Sequence, residues 1–202
     1  MKIELGTDSG DYELLREAVQ LAPNGYYLAT EIGVREGGST QMIMEELAAK
    51  KFRGMLTLID HYGGMPQWHS DTECVVLDYT NEMRNRAMSS IYQLANHHKI
   101  NFQFFNLADD DFFAFFPDGV PIYSGGVRML VNEYCFAHLD GPHRVELVEK
   151  EAAFFAPRMV RGGVIVTDDI QLFNFKQFTK FAKTIGLELV KKGGLKAVFQ
   201  KQ

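Results

Sequence analysis

Residues 26–60 read YYLATEIGVREGGSTQMIMEELAAKKFRGMLTLID. The run 26–32 is apolar with aromatic content and breaks at Gly33, the signature of a buried strand that ends in a turn. Residues 39–51 are good helix formers, and 55–60 form a second apolar run closing on an acid, Asp60. Strand, glycine turn, helix and strand in that order make a βαβ unit, which requires parallel pairing of its two strands.

The same alternation continues on both sides of this unit. Upstream, residues 11–22 place Leu14, Leu15, Ala18 and Leu21 on one helical stripe before Pro23-Asn24-Gly25. Downstream, 61–80 carries Gly63-Gly64, Pro66 and Trp68 without a period and reads as a long loop or lid over a site. A helix is expected over 80–98, on Met83, Ala87, Ile91 and Leu94, and a strand over 100–107. The stretch 108–130 combines an acidic triplet, clustered phenylalanines and two glycine turns; it fits either a short helix with a hairpin or an irregular insertion. Strands are then expected at 134–139 and 163–167, helices at 144–160 and 173–185, and two antiparallel strands around Lys191-Lys192-Gly193-Gly194. The expected fold is one α/β domain over residues 1–202: a doubly wound, mostly parallel sheet with a C-terminal antiparallel hairpin and insertions at 61–80 and 108–130.

Composition narrows the function classes. With 202 residues, 46% hydrophobic and 23% charged, the chain suits a globular domain with a sizeable core. No apolar run is long enough to span a bilayer, and the first residues lack a signal-peptide pattern, so a cytoplasmic protein without membrane association is expected. A net charge of −5 gives no general attraction for nucleic acid and favours a small-molecule or protein substrate. Cys74 and Cys135 are too few for a disulfide framework or a zinc site and are expected to be buried thiols.

In a doubly wound sheet, ligands bind beyond the carboxyl ends of the strands, near the point where strand order reverses. Four polar clusters fall at such ends: 33–40, Asp60, 140–143 and Asp168-Asp169. The glycines of the first let a ligand approach the backbone, with a helix amino end behind it. In a dinucleotide fingerprint the second glycine would fall on Arg35, so that motif is not met. Asp60 is placed to accept hydrogen bonds from ribose hydroxyls, or is a solvated strand-end acid. Asp109 is placed to meet an adenine amino group, or belongs to a solvated acidic loop. Asp140, Asp168 and Asp169 end what should be neighbouring strands; three such carboxylates repel unless protonated or bound to a cation, and magnesium or another divalent ion suits oxygen ligands. Alternatively, Asp169 caps the following helix. His138 is expected to point into the sheet.

The segment Glu31-Ile-Gly-Val-Arg-Glu-Gly-Gly-Ser39 resembles motif I of class I methyltransferases, and its Glu-x-Gly-x-x-x-Gly-x-Ser spacing is similar to that of the catechol O-methyltransferases. Residues 136–170, with Asp140-Gly-Pro-His143 and Gly162-Gly-Val-Ile-Val-Thr-Asp-Asp169, resemble the macrocin O-methyltransferase and cephalosporin-hydroxylase-like group. The resemblance implies a Rossmann-like methyltransferase fold and S-adenosylmethionine held by Glu31, Gly33, Arg35, Gly37, Ser39, Asp60 and Asp109. It also implies a divalent ion on Asp140, Asp168 and Asp169, with His143 and Asp140 as the catalytic candidates. His143 stands where the catechol enzymes place a lysine base, and can deprotonate a hydroxyl near neutral pH. The implied activity is O-methylation of a small-molecule hydroxyl, and homodimerisation is compatible with it. The alternative is a cofactor-binding or assembly module without turnover, or a related metal-dependent hydroxylase-like protein.

Overall fold

A computed structural model describes residues 5–6, 9–76 and 79–202. In chain order its elements are α1 (Tyr12–Leu21), β1 (Leu28–Ile32), α2 (Gly38–Ala49), β2 (Met55–Ile59), β3 (Pro66–Trp68), β4 (Cys74–Val76), α3 (Asn81–His98), β5 (Phe102–Phe105), α4 (Asp109–Phe115), β6 (Val120–Ser124), β7 (Val127–Val131), β8 (Tyr134–Leu139), α5 (Val145–Phe155), β9 (Met159–Thr167), α6 (Phe175–Thr184), β10 (Leu187–Lys192) and β11 (Ala197–Lys201). Seven strands form one sheet in the order β10-β11-β9-β8-β1-β2-β5. β1 pairs in parallel with β2 and β8, β8 with β9, and β2 with β5, whereas β11 runs antiparallel to both β9 and β10. The chain therefore grows outward from β1 to β5 on one side and restarts at β8 on the other. The switch point lies between β1 and β8.

Helices cover both faces, which is why β1 and β8 are buried along their full length and read as nearly continuous apolar runs. One core joins Leu15, Ala18, Val19, Ile43, Leu47, Ile91 and Leu94 from α1, α2 and α3 to Ala29, Leu56 and Val164 of the sheet. The other joins Val148, Ala152 and Phe155 of α5 and Phe178 and Ala182 of α6 to Leu28, Ala137, Ile165 and Phe199. On α1 the buried stripe runs through Val19, and Leu21, expected inside, is 53% exposed. Helix α5 stops at Phe155, short of the expected 160, because Pro157 tightens the chain into a 3₁₀ turn from which β9 starts at Met159.

Two insertions depart from the main sheet. Residues 61–80, expected as a loop, contain the β3–β4 hairpin; 77–78 lie outside the described residues. Residues 108–130 are the short helix α4 followed by the β6–β7 hairpin. Cys74 on β4 is exposed, contrary to expectation, while Cys135 on β8 is buried. No helix among the described residues is long and apolar enough to cross a membrane.

Candidate functional site

At the carboxyl end of the sheet a cleft of about 210 Å³ opens over the switch point. Its first wall is the turn after β1. Gly33 has φ +83°, and a Cβ there would lie 1.9 Å from the carbonyl oxygen of Asp140, so only glycine lets β1 and β8 approach this closely. Both the Val34 and Arg35 amides donate to one oxygen of Asp60, Oδ2, at 2.9 and 2.7 Å. Arg35 takes the left-handed conformation a glycine would favour, φ 46°, and its carbonyl also accepts from the Tyr62 hydroxyl at 2.5 Å. Burial pushes the Asp60 carboxyl up to about 7, against the pull of those two amide bonds. Burial likewise raises Asp109, which lines the cleft beyond Asp60 with its neighbour Asp110 adding repulsion. Behind the turn, Glu31 is fully buried, accepting from Thr40 Oγ1 and facing His138 Nδ1 at 3.2 Å.

The second wall follows β8 and β9. Asp140 and His143 line the cleft, as does Asp169. Asp169 has φ 46°, a conformation aspartate tolerates better than most residues, and its Oδ2 lies 3.5 Å from His143 Nε2. Burial lowers the His143 pKa, outweighing the pull of Asp169 and Asp168, which favours the neutral imidazole. Asp140 is driven well above the usual carboxylate range by burial and by the charge of Asp168. Asp168 behaves oppositely. Its burial is outweighed by His138 and Lys196, which hold it below the ordinary value. The Lys196 ammonium bonds Asp168 Oδ2, Ser9 Oγ donates to that same oxygen at 2.9 Å, and the Asp169 amide donates to Oδ1 at 2.8 Å.

The β3–β4 hairpin roofs the cleft with Gln67, Trp68 and His69. The His143 amide donates to the Trp68 carbonyl at 2.8 Å, and the Arg144 guanidinium stacks 4.3 Å from the Trp68 ring centroid. At the hairpin tip, Asp71 accepts from the Val145 amide at 2.7 Å and the Asn174 amide at 2.6 Å, so one carboxylate ties the roof to the starts of α5 and α6.

The methyltransferase-domain family matches the chain over residues 30–170, from β1 to the carboxylates after β9. The chain belongs to that family. Solved methyltransferases share the fold. The O-methyltransferase from Bacillus cereus in complex with SAH is 12% identical, with a TM-score of 0.59, and the match covers 97% of this chain and 83% of that one. The O-methyltransferase TomG from Streptomyces achromogenes, in complex with SAM, is 12% identical with a TM-score of 0.58, covering 98% and 82%. A calicheamicin methyltransferase is also 12% identical with a TM-score of 0.56, covering 94% and 76%. Among curated proteins none matches the chain.

In this methyltransferase the cleft gathers Gly33, Arg35, Ser39, Asp60, Asp109, Asp140, His143 and Asp169. Glu31, Gly37 and Asp168 stand behind its walls; Gly37, at φ +89°, starts α2. His138, Asp140 and Asp168 place ligand atoms within 4.8 Å of one another, a grouping that contains His138 in place of the expected Asp169. His61 also lines the cleft. Sequence reasoning missed Lys196, Ser9 and Asp71. The antiparallel register of β11 on β9 pairs Ala197 with Thr167 and so sets Lys196 beside Asp168, a juxtaposition that no local sequence pattern announces.

Proposed function

We propose that the protein transfers the methyl group of S-adenosylmethionine to a hydroxyl oxygen of a small molecule. The observation that carries this reading is the His143 imidazole, 3.5 Å from Asp169 and facing, across the cleft, a glycine turn pinned by Asp60. The structural relatives solved with SAM and SAH are O-methyltransferases, which supports the choice of donor and acceptor atom.

The cleft residues fit such a donor. Asp60 turns Oδ2 to the turn amides, and its carboxyl lines the cleft, where it can accept from ribose hydroxyls. Ser39, in the first turn of α2, presents its hydroxyl at a helix amino end, where polar ligand atoms are favoured. Asp109 is the candidate acceptor for an adenine amino group. When bound, the donor supplies an electrophilic sulfonium methyl. His143 then takes the proton of an acceptor hydroxyl, and Asp169 stabilises the imidazolium that results. The hydroxyl oxygen gains the methyl carbon as the carbon–sulfur bond breaks. Trp68 and the hairpin exclude water, which strengthens each of these electrostatic contacts.

The divalent ion implied by the resemblance does not fit the donor set. Both oxygens of Asp168 are bonded to protein groups, one of them an ammonium, and Asp169 faces His143. The proton is then handled by His143, with Asp169 beside it.

Calorimetry with S-adenosylhomocysteine and with a nicotinamide dinucleotide, followed by methyl-labelled donor and a panel of hydroxyl acceptors, tests the reading. Binding of the homocysteine product and label transfer to oxygen are expected. Binding of the dinucleotide instead would defeat it.

A further inference from the structure

The carboxylates beyond β8 and β9 already have a cation, and it is part of the chain. Lys196 precedes β11 and its side chain is fully buried. Its ammonium bonds Asp168 Oδ2 and donates to Ser9 Oγ at 2.6 Å, while Ser9 Oγ donates to the same carboxylate oxygen. The backbone holding this lysine is itself fixed: Asp11 Oδ2 accepts the Leu195 and Lys196 amides at 2.6 and 3.2 Å, and the Ile170 amide donates to the Leu195 carbonyl at 2.9 Å. His138, tethered to Glu31 through Nδ1, brings Nε2 to 3.8 Å from the same Asp168 oxygen. A divalent ion seated among His138, Asp140 and Asp168 would have to share Asp168 with a permanent positive charge in a low-dielectric interior, where like charges repel strongly.

We infer that Lys196 is the resident cation of this carboxylate cluster, so that the protein takes up no divalent metal there, and that removing the ammonium converts the cluster into a divalent-cation site. A buried carboxylate stripped of its partner must protonate or find another cation. The consequence for catalysis, transfer without metal, rests on the methyl-transfer reading above; the consequence for ion binding does not.

The experiment uses the full chain, stripped with a chelator and titrated with Mn²⁺ in mildly alkaline buffer, with melting temperature and free Mn²⁺ as readouts. The unaltered protein should take up no Mn²⁺ through the millimolar range and show no shift in melting temperature. Lys196→Met should melt lower, bind one Mn²⁺, and recover melting temperature as Mn²⁺ is added, because a ligand that binds only the folded state stabilises it. Lys196→Arg should remain blind to the ion. Saturable Mn²⁺ uptake by the unaltered protein, lost in Asp168→Asn, would overturn the inference, as would a folded Lys196→Met protein indifferent to Mn²⁺. If Lys196→Met cannot be purified, Lys196→Gln takes its place in the same titration, and uptake by the unaltered protein, or a folded Lys196→Gln protein indifferent to Mn²⁺, overturns the inference. S-adenosylhomocysteine calorimetry in chelator forms a separate arm, whose failure would count against the methyl-donor reading and leave the ion result standing.

Discussion

Asp60 bonds both turn amides through a single oxygen, and this decides what its replacement by asparagine should do. An amide oxygen can keep both bonds, but it cannot carry the charge that favours ribose hydroxyls. In buffer above about pH 7, where the carboxyl is ionised, Asp60→Asn should therefore cost about 1.5 to 3 kcal/mol of donor binding, or roughly ten- to hundredfold in affinity, by calorimetry. Stability should move the other way. Burial raises the folded-state carboxyl to about 7, above an unfolded value of about 3.9, so the folded protein holds the extra proton between them. Stability from this group is then fully present below the unfolded value and is lost as pH rises through about 7. Asp60→Asn should out-melt the native protein in alkaline buffer, with the advantage vanishing as pH falls toward about 4, the unfolded carboxyl value. An asparagine variant that melts lower at high pH and binds donor normally would contradict the account. Across the cleft, His143→Ala should preserve donor binding and reduce turnover on a hydroxyl acceptor by roughly 10²- to 10⁴-fold. Equal loss of donor affinity would instead assign His143 to the donor site.

At the scale of elements, the roof over the cleft is held by contacts that no local pattern announces. Strands β3 and β4 are three residues each, largely uncovered and without an apolar alternation, so 61–80 looked structureless. Asp71 fixes the hairpin through partners 74 and 103 residues away. Asp71→Ala should remove two charge-assisted bonds at the starts of α5 and α6, at a cost of about 1 to 3 kcal/mol. Amide exchange should quicken across β3 and β4 and in the first turn of α5, while β1 and β8 keep their protection. Unchanged exchange in the hairpin would show that Trp68 and Arg144 suffice to hold it. By contrast, β1, α2, β2 and β8 were readable because each carries its own period and stop. The helix and hairpin of 108–130 lay between, since an acidic triplet followed by phenylalanines permits either an amphipathic turn or an irregular loop.

Across the whole molecule, what the sequence hid was lateral. Strand ends can be located one by one, and doing so placed Asp60, Asp140, His143 and Asp169 along one cleft. Which groups meet across the sheet depends on register, so the pairing of Lys196 with Asp168 and of His138 with Glu31 emerges only once β11 lies against β9 and β1 against β8. The same lateral closeness gives a last prediction. The cleft is walled by the turn after β1, the acid after β2, the segment after β8 and the hairpin, so a ligand filling it touches both halves of the doubly wound sheet. Such a ligand binds the assembled protein and not the unfolded chain. At a hundred times its dissociation constant, S-adenosylhomocysteine should stabilise the fold by about 2.7 kcal/mol, which for a chain of this size corresponds to a rise in melting temperature of roughly 5 to 10 °C. With Lys196 as the resident cation inferred above, the shift should persist in chelator, and it should shrink in Asp60→Asn. A nicotinamide dinucleotide should give no comparable shift. An equal rise with the dinucleotide, or none with the homocysteine product at saturating concentration, would mean that the glycine turn and Asp60 are built for a different ligand.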